Sequence, residues 1–329
     1  MEEGWERPPR LQLQRAQLEH LVDAAFPGAS ISEWGVLATG LANTNVRLRL
    51  NGHESTYVLR LHTRDPRASA RERDLMSYLA AESASGIPVP SLLYSDPAPE
   101  RGEYPYSIWS FVEGVLLQDL FRVLPIHELV EIASACGRTL ASIAAHRFTQ
   151  CGEFGPGLEI VQEYGPPSRF VPEVIHHALF EGLAGQRLGA ALRDALWRAV
   201  ERTSPMLTQV DGRYTLVHAD YKRSNILMSR AGSGWNVAAV LDWEFACAGP
   251  PLIDVGLFLR AGERLPAGFR DAFVSSYRDA GGEIPADWLP LSRLVDVISQ
   301  VTFLDGPQVR PQVFAESAEV VKETILILA

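Results

Sequence analysis

Lysine is almost missing from this 329-residue chain: only Lys222 and Lys322 occur, and every other basic side chain is arginine. Cysteine is scarce too, with Cys136, Cys151 and Cys247 far apart. Such distant thiols argue against a disulfide framework and a cysteine-based zinc site, and they suit a reducing compartment. No uncharged apolar run approaches the roughly 18–20 residues that a membrane span needs. Met1 to Arg10 is polar, with glutamates at 2, 3 and 6, and does not read as a signal peptide. A cytoplasmic protein without a membrane partner is expected.

Acidic side chains outnumber basic ones, 40 to 30, for a net charge of −10. That balance disfavours nucleic acid as a partner and favours cationic ligands. The tryptophans are scattered and do not interleave with basic residues as in a nucleic-acid surface. The histidines show no metal-like spacing. His176 and His177 share a predicted helix, where neighbours point about 100° apart and chelate one ion poorly. A hydrophobic content of 47% is ample for a core.

What is present falls into two halves. Leu11 to Phe26 carries apolar residues at helical spacing and is stopped by Pro27-Gly28. Short strands follow at 34–39, 45–50 and 55–62, and Asn51-Gly52 signals a hairpin turn. The join Gly40-Leu41-Ala42-Asn43-Thr44-Asn45 has small side chains, so its backbone N–H groups could approach phosphates, although an ordinary turn would look the same. A helix at 68–81, a Gly-Pro break at 86–90 and strands at 91–94 and 106–112 complete the β-rich part. From Leu117 the pattern is helical, with the strongest run at 126–145. A loop is expected at about 148–167, then helices at 174–184, 189–207, 254–259, 269–280, 289–304 and 314–328. This reads as an α+β chain in two lobes, a small β-rich one over residues 1–112 and a larger helical one over 113–329.

The most informative stretch is Leu216 to Phe245. Two β-type runs, Leu227-Met228 and Val237 to Leu241, flank a Ser/Arg/Gly turn, with polar residues held at both ends. His218-Ala219-Asp220 precedes the hairpin, Asn225 lies five residues beyond Asp220, and Asp242-Trp243-Glu244 closes it. An aspartate that orients a hydroxyl, and an asparagine with a second carboxylate that hold Mg²⁺, are the residue types that phosphoryl transfer from Mg-ATP requires. Glu244, two residues past Asp242 on a segment taken as extended, would share its side and either hold a second Mg²⁺ or shape the site.

His-x-Asp-(x)4-Asn followed by a strand ending in Asp-x-Glu, with Gly249 and Asp254 beyond, resembles the aminoglycoside phosphotransferase and choline kinase branch of the protein-kinase-like fold. Protein kinases would show Asp-Phe-Gly at 242–244, and this chain does not. The resemblance covers essentially the whole chain. It implies ATP, with GTP not excluded, bound between two lobes. Asp220 would be the base or hydroxyl-positioning residue, and Asn225 and Asp242 the Mg²⁺ ligands. Arg60 stands where kinases place a phosphate-binding lysine, with Glu72 as its partner; a guanidinium can serve both phosphate and carboxylate. Asn43 would lie in the phosphate-covering turn. Adenine would meet the Ser110 carbonyl and the Val112 N–H. His218 would support the loop and Asp254 brace it. Lys222 would face a phosphate, an anionic substrate or solvent. Gly249-Pro250-Pro251 replaces the more usual Gly-Asp-Pro, which suggests a side branch.

The activity implied is phosphoryl transfer to a hydroxyl of an aminoglycoside, a small amino alcohol or a sugar, an acceptor that could be cationic and would lie against the helical lobe. A nucleotide-binding regulatory pseudokinase is the alternative. Arg60 supports it, and the complete set Asp220, Asn225 and Asp242 speaks against it.

Overall fold

Alternation of side chains decides the first half of the chain. In Thr44–Leu50, Val46, Leu48 and Leu50 are buried while Arg47 and Arg49 are not, a two-residue period that gives one dry face and one wet face. A computed structural model describes residues 11, 13–37, 43–81, 86–99, 102–232, 234–260 and 264–329. Helix α1 (Arg15–Val22) lies beside an antiparallel sheet of β1 (Ile31–Val36), β2 (Thr44–Leu50), β3 (Thr56–Leu61), β4 (Leu92–Asp96) and β5 (Tyr106–Ser110), in the order β1-β2-β3-β5-β4. Helix α2 (Ala68–Ala81) joins β3 to β4. Leu18, Val22, Ile31, Val46, Leu48, Leu59, Tyr106 and Ile108 make the small core between α1 and the sheet. The other side belongs to the main core, where Leu75, Met76 and Leu79 of α2 meet Trp109.

After β5 the chain becomes mainly helical. The elements are β6 (Val115–Leu116), α3 (Leu117–Leu120), α4 (Ile126–Ala144), β7 (Arg147–Phe148), β8 (Gly152–Phe154), β9 (Ile160–Glu163), α5 (Pro167–His176), α6 (Ala184–Leu188) and α7 (Ala190–Thr203). Then come β10 (Tyr214–Val217), β11 (Ile226–Ala231), β12 (Gly234–Val240), β13 (Cys247–Gly249), α8 (Leu252–Phe258), α9 (Phe269–Asp279), α10 (Trp288–Asp305) and α11 (Pro311–Leu328). Helix α4 buries Leu129, Ile132, Ala133, Cys136, Leu140 and Ile143, the stripe expected from its period. It lies so close to α9 that a Cβ on Gly137 would come within 2.3 Å of the Phe273 carbonyl oxygen. A separate core joins α5, α7, α10 and α11 through Val171, Leu196, Leu294, Val297 and Val321. The expected α+β architecture, a small β-rich lobe and a larger helical one, is the one adopted.

Three expectations need correction. The 148–167 stretch is not a plain loop: β8 and β9 join β7, β10 and β13 in a second sheet, ordered β7-β10-β13-β8-β9. Strands of two to four residues are too short to show alternation, and Gly152 packs where a Cβ would meet the Gln162 carbonyl oxygen at 2.2 Å. The helix expected from 174 starts at Pro167, a first helical position where proline removes no internal hydrogen bond, and carries Pro172 inside it. It passes into a wider turn at His177–Glu181 before α6. Finally, the opening helix is shorter than 11–26, ending at Val22.

Candidate active site

The loop after β10 is tied down by its own buried groups. Asp254, 1% exposed on α8, accepts the N–H of His218 at 2.8 Å and of Ala219 at 2.9 Å. Burial pushes the Asp254 carboxyl up to about 7, against the pull of those backbone donors. The His218 ring accepts the Asp220 N–H on Nδ1 at 3.1 Å, so its Nε2–H donates to the Leu241 carbonyl, 2.9 Å away. Burial drives the His218 pKa down to about 4, which keeps the ring neutral and this tautomer fixed. Tyr221 anchors the next position by donating to the Cys136 carbonyl at 2.9 Å.

This clamp sets the geometry of the polar residues. Asn225 donates from Nδ2 to both the carbonyl of Asp220, at 3.0 Å, and its Oδ2, at 2.7 Å. Its Oδ1 makes no hydrogen bond among the described residues. Lys222 Nζ stands 3.1 Å from the other carboxylate oxygen of Asp220. Burial raises the Asp220 carboxyl above its ordinary range, and Lys222 and Asn225 draw it back. Hairpin β11–β12 returns the chain, and Leu241 donates to the Asn225 carbonyl at 2.8 Å, so the two ends of the hairpin meet. Asp242 and Ala219 both hold positive φ, 67° and 60°, conformations that cost a non-glycine residue energy and cluster where function demands them.

Contacts from the other lobe complete the site. Arg60, on β3, donates from Nη1 to Glu72 Oε1 at 2.9 Å and from Nη2 to Asp242 Oδ1. Burial raises the Asp242 carboxyl, but the charge and hydrogen bond of Arg60 outweigh it, and the carboxyl lies below its ordinary range. Burial lifts Glu72 to about 7 against Arg60, while its partner is pushed further toward the cation. The two shifts pull opposite ways; a guanidinium that never loses its charge, at 2.9 Å, makes the ionised carboxylate the form this geometry describes. Asn43 donates from Nδ2 to Glu244 Oε2 at 3.1 Å, and Arg64 approaches Oε1 at 3.5 Å. Burial and the Asp242 charge raise the Glu244 carboxyl.

The residues singled out for the site, Ser110 and Val112 aside, fall into three neighbouring bonded groups: Asp220 with Asn225, Arg60 with Glu72 and Asp242, and Asn43 with Glu244. Ser110 and Val112 lie at and just past the end of β5. The Ser110 N–H donates to the Ser91 carbonyl at 2.9 Å and the Phe111 N–H to that of Thr56 at 3.0 Å. In an extended strand the C=O of 110 and the N–H of 112 then share the edge opposite to Thr56. Of the expected phosphate-covering turn, residues 40–42 lie outside the described residues. Glu244 sits in a turn, not on an extended segment, because the positive φ of Asp242 breaks the strand. Alternation therefore does not set its direction. Sequence reading missed Arg64 and Arg71. The latter donates to the Glu244 carbonyl at 2.6 Å and to Glu153 at 2.7 Å. The run of arginines at 64, 67 and 71 was the available signal.

The donors suit Mg²⁺ in a particular way. Asn225 Oδ1 and the Asp242 carboxylate are hard oxygens, as Mg²⁺ prefers. Among the described residues no three His, Cys, Asp or Glu side chains gather as a ready-made metal site. An ion held here would need further oxygens from a phosphate, the usual arrangement for Mg²⁺ in phosphoryl transfer.

Comparison with curated proteins finds no match. Solved structures do match. A thermostable mutant of aminoglycoside phosphotransferase APH(4)-Ia, in a ternary complex with AMP-PNP and hygromycin B, superposes with a TM-score of 0.67 at 21% identity, covering 94% of this chain and 98% of that one. The GDP complex of aminoglycoside 2'-phosphotransferase-IIIa gives 0.70 at 17%, covering 95% and 99%. Spectinomycin phosphotransferase APH(9)-Ia with ADP and spectinomycin gives 0.61 at 15%, covering 97% and 98%. At such identities the likeness establishes the protein-kinase-like fold. The model of the APH phosphotransferase enzyme family matches residues 33–291, most of the chain, and this protein belongs to that family.

Proposed function

We propose that this phosphotransferase transfers the γ-phosphate of ATP to a hydroxyl of a small molecule. The observation that carries the reading is the clamped pair Asp220–Asn225, 2.7 Å apart, brought beside an Asp242 that Arg60 reaches from the opposite lobe. Structural relatives bound to AMP-PNP, ADP or GDP support a nucleotide there, and GTP is a reasonable second donor. In this reading the lobes meet at residues 112 and 113, and adenine bonds the Ser110 carbonyl and the Val112 N–H. Arg60, positioned by Glu72, and the turn holding Asn43 face the phosphates. Asn225 and Asp242 would hold Mg²⁺, and Glu244 would hold a second ion or shape the site; the ion would neutralise charge on the phosphates.

Asp220 holds the acceptor hydroxyl in line with the γ-phosphorus. The acceptor oxygen forms the new P–O bond as the bond to the β-phosphate oxygen breaks, Asp220 takes the hydroxyl proton, and ADP leaves. The transition state is loose, so positioning and charge do most of the work and a carboxylate is a sufficient base. A carboxyl raised by burial is better matched to that task than an ordinary one.

The test is ADP release from Mg-ATP with a panel of aminoglycosides, amino alcohols and sugars. Acceptor-dependent release should fall about 10²–10⁴-fold in Asp220→Ala, the range for loss of a general base. A folded protein that binds neither ATP nor GTP would sink the assignment. The second reading, a nucleotide-binding pseudokinase, draws on the Arg60–Asp242 pair, which engages a proposed metal ligand. It predicts nucleotide binding with no release for any acceptor.

A further inference from the structure

Helix α2 carries two neighbouring charged residues that serve different ends. Glu72 turns toward the sheet and holds Arg60, which in turn reaches Asp242. Arg71, about 100° away round the helix, faces the larger lobe. Its Nη2 donates to the Glu244 carbonyl at 2.6 Å and its Nη1 to Glu153 Oε1 at 2.7 Å. The Arg71 side chain is only 13% exposed. Glu153 lies on β8 opposite Cys247, the first residue of β13 and the one that follows the 243–246 turn. One prong of Arg71 therefore grips the turn, and the other grips the sheet that the turn enters.

The grip on the turn is the informative one. The Ala246 N–H closes the turn on the Trp243 carbonyl at 3.0 Å, a bond in which the carbonyl of the second residue, Glu244, takes no part. Glu244 is buried, and among the described residues no backbone N–H reaches its carbonyl. A buried carbonyl without a donor is costly, so Arg71 supplies the bond that the turn lacks. Just upstream, Asp242 keeps its φ of 67° only while its surroundings enforce it. Trp243, also buried, donates from Nε1 to the Val240 carbonyl at 3.0 Å. The backbone of Asp242 is thus held on one side by the end of β12 and on the other by the turn that Arg71 secures. Helix α2 has other means of staying in place. Leu75, Met76 and Leu79 sit in the main core, Asp74 accepts the Gly157 N–H at 2.8 Å, and the Tyr78 hydroxyl bonds His146 at 3.1 Å.

We infer that Arg71 is a positioning residue: by holding the backbone of the 242–246 turn, it aims the Asp242 carboxylate at the Mg²⁺ of the bound nucleotide. Its two bonds go to protein groups, so it acts through Asp242 and not on the reacting atoms. The inference goes beyond the phosphotransferase reading and rests on it for the role of Asp242. Two adjacent residues of one helix then control the same corner of the site, Glu72 through Arg60 and Arg71 through the turn. A guanidinium suits this task because its planar fork serves the carbonyl and the carboxylate together, whereas the single ammonium of lysine would serve them less well.

The test compares Arg71→Met, Arg71→Lys and Glu153→Gln with the unaltered protein. Hydrogen exchange reads the turn directly. In Arg71→Met the Ala246 amide should exchange roughly tenfold faster, as expected when a bond from a charged donor is lost, while the Leu75 and Leu79 amides of α2 stay within about threefold. Mn²⁺, titrated in the presence of ADP and followed by electron paramagnetic resonance, should bind roughly tenfold more weakly, the range for loss of a group that orients a metal ligand. In the ADP-release assay kcat should fall by a similar factor, with the acceptor KM changed less than about threefold. Arg71→Lys should recover part of each loss, and it carries the same readouts if Arg71→Met does not fold. Glu153→Gln, which keeps the bond to the Glu244 carbonyl, should stay within about threefold throughout. An unchanged Ala246 exchange rate in the Arg71 variants, exchange that rises equally in α2, or a loosened turn with undiminished Mn²⁺ affinity overturns the inference. So does Glu153→Gln proving as damaging as Arg71→Met. Mn²⁺ affinity and turn protection lost together, in a protein that releases ADP with no acceptor, would defeat the phosphotransferase reading and leave the role of Arg71 standing.

Discussion

His218 makes the catalytic loop sensitive to acid. Its ring is fully buried, accepts the Asp220 N–H on Nδ1 and donates from Nε2 to Leu241. In the unfolded chain the imidazole takes a proton near 6.5, whereas burial in the fold delays this until about 4. Between those values the unfolded chain binds the extra proton, so the stabilising contribution is complete above pH 6.5 and is lost as pH falls. The full gap corresponds to about 3 kcal/mol, of which about 2 kcal/mol is lost between pH 7.5 and pH 5. His62, lowered to about 3 by burial and Arg60, acts in the same direction, so the effect of His218 must be isolated by difference. The assay is urea unfolding of the unaltered protein and of His218→Asn from pH 7.5 to 5. The variant loses the Leu241 bond and the ring contact with Trp243, 4.5 Å between centres, and should be less stable at pH 7.5. Its deficit should shrink by about 2 kcal/mol on reaching pH 5, because it has no imidazole to titrate. A deficit that stays constant over this range would refute the neutral, clamped histidine. Turnover of the folded protein should fall only as the pH approaches about 4, where the ring takes its proton and Nδ1 can no longer accept the Asp220 N–H.

Arg60→Ala should destabilise the fold by roughly 3–5 kcal/mol in urea unfolding, because it strands the buried Glu72 carboxylate. It should also raise the KM for ATP, and Arg60→Lys should do both to a smaller degree, since one ammonium cannot fork onto Glu72 and Asp242 together. Gly137→Ala should lower stability by roughly 1–3 kcal/mol although alanine is the better helix former, since its Cβ meets the Phe273 carbonyl of α9. A gain in thermal unfolding temperature would mean that α4 and α9 are not in close contact.

How much could be read in advance depends on the range of each interaction. The Asp220–Asn225 pair is closed by a loop of five residues, and hairpin β11–β12 by a local turn, so both follow from neighbouring residue types. Helices α4 and α10 announce themselves through apolar residues every three or four positions, a period that the backbone alone imposes. The short strands β8 and β9 carry no period at all and exist because Gly152 admits a neighbouring backbone.

The amino-acid order by itself therefore determined the chemistry on offer: the aspartates, the asparagine, the missing lysine and the two-part layout of strands and helices. Only the tertiary structure decided which of these groups meet. Arg60 reaches Asp242 across 182 positions and Asn43 reaches Glu244 across 201, contacts that arise when the two lobes pack together. Charge pairing depends on distances through space, and those exist only once the chain has folded.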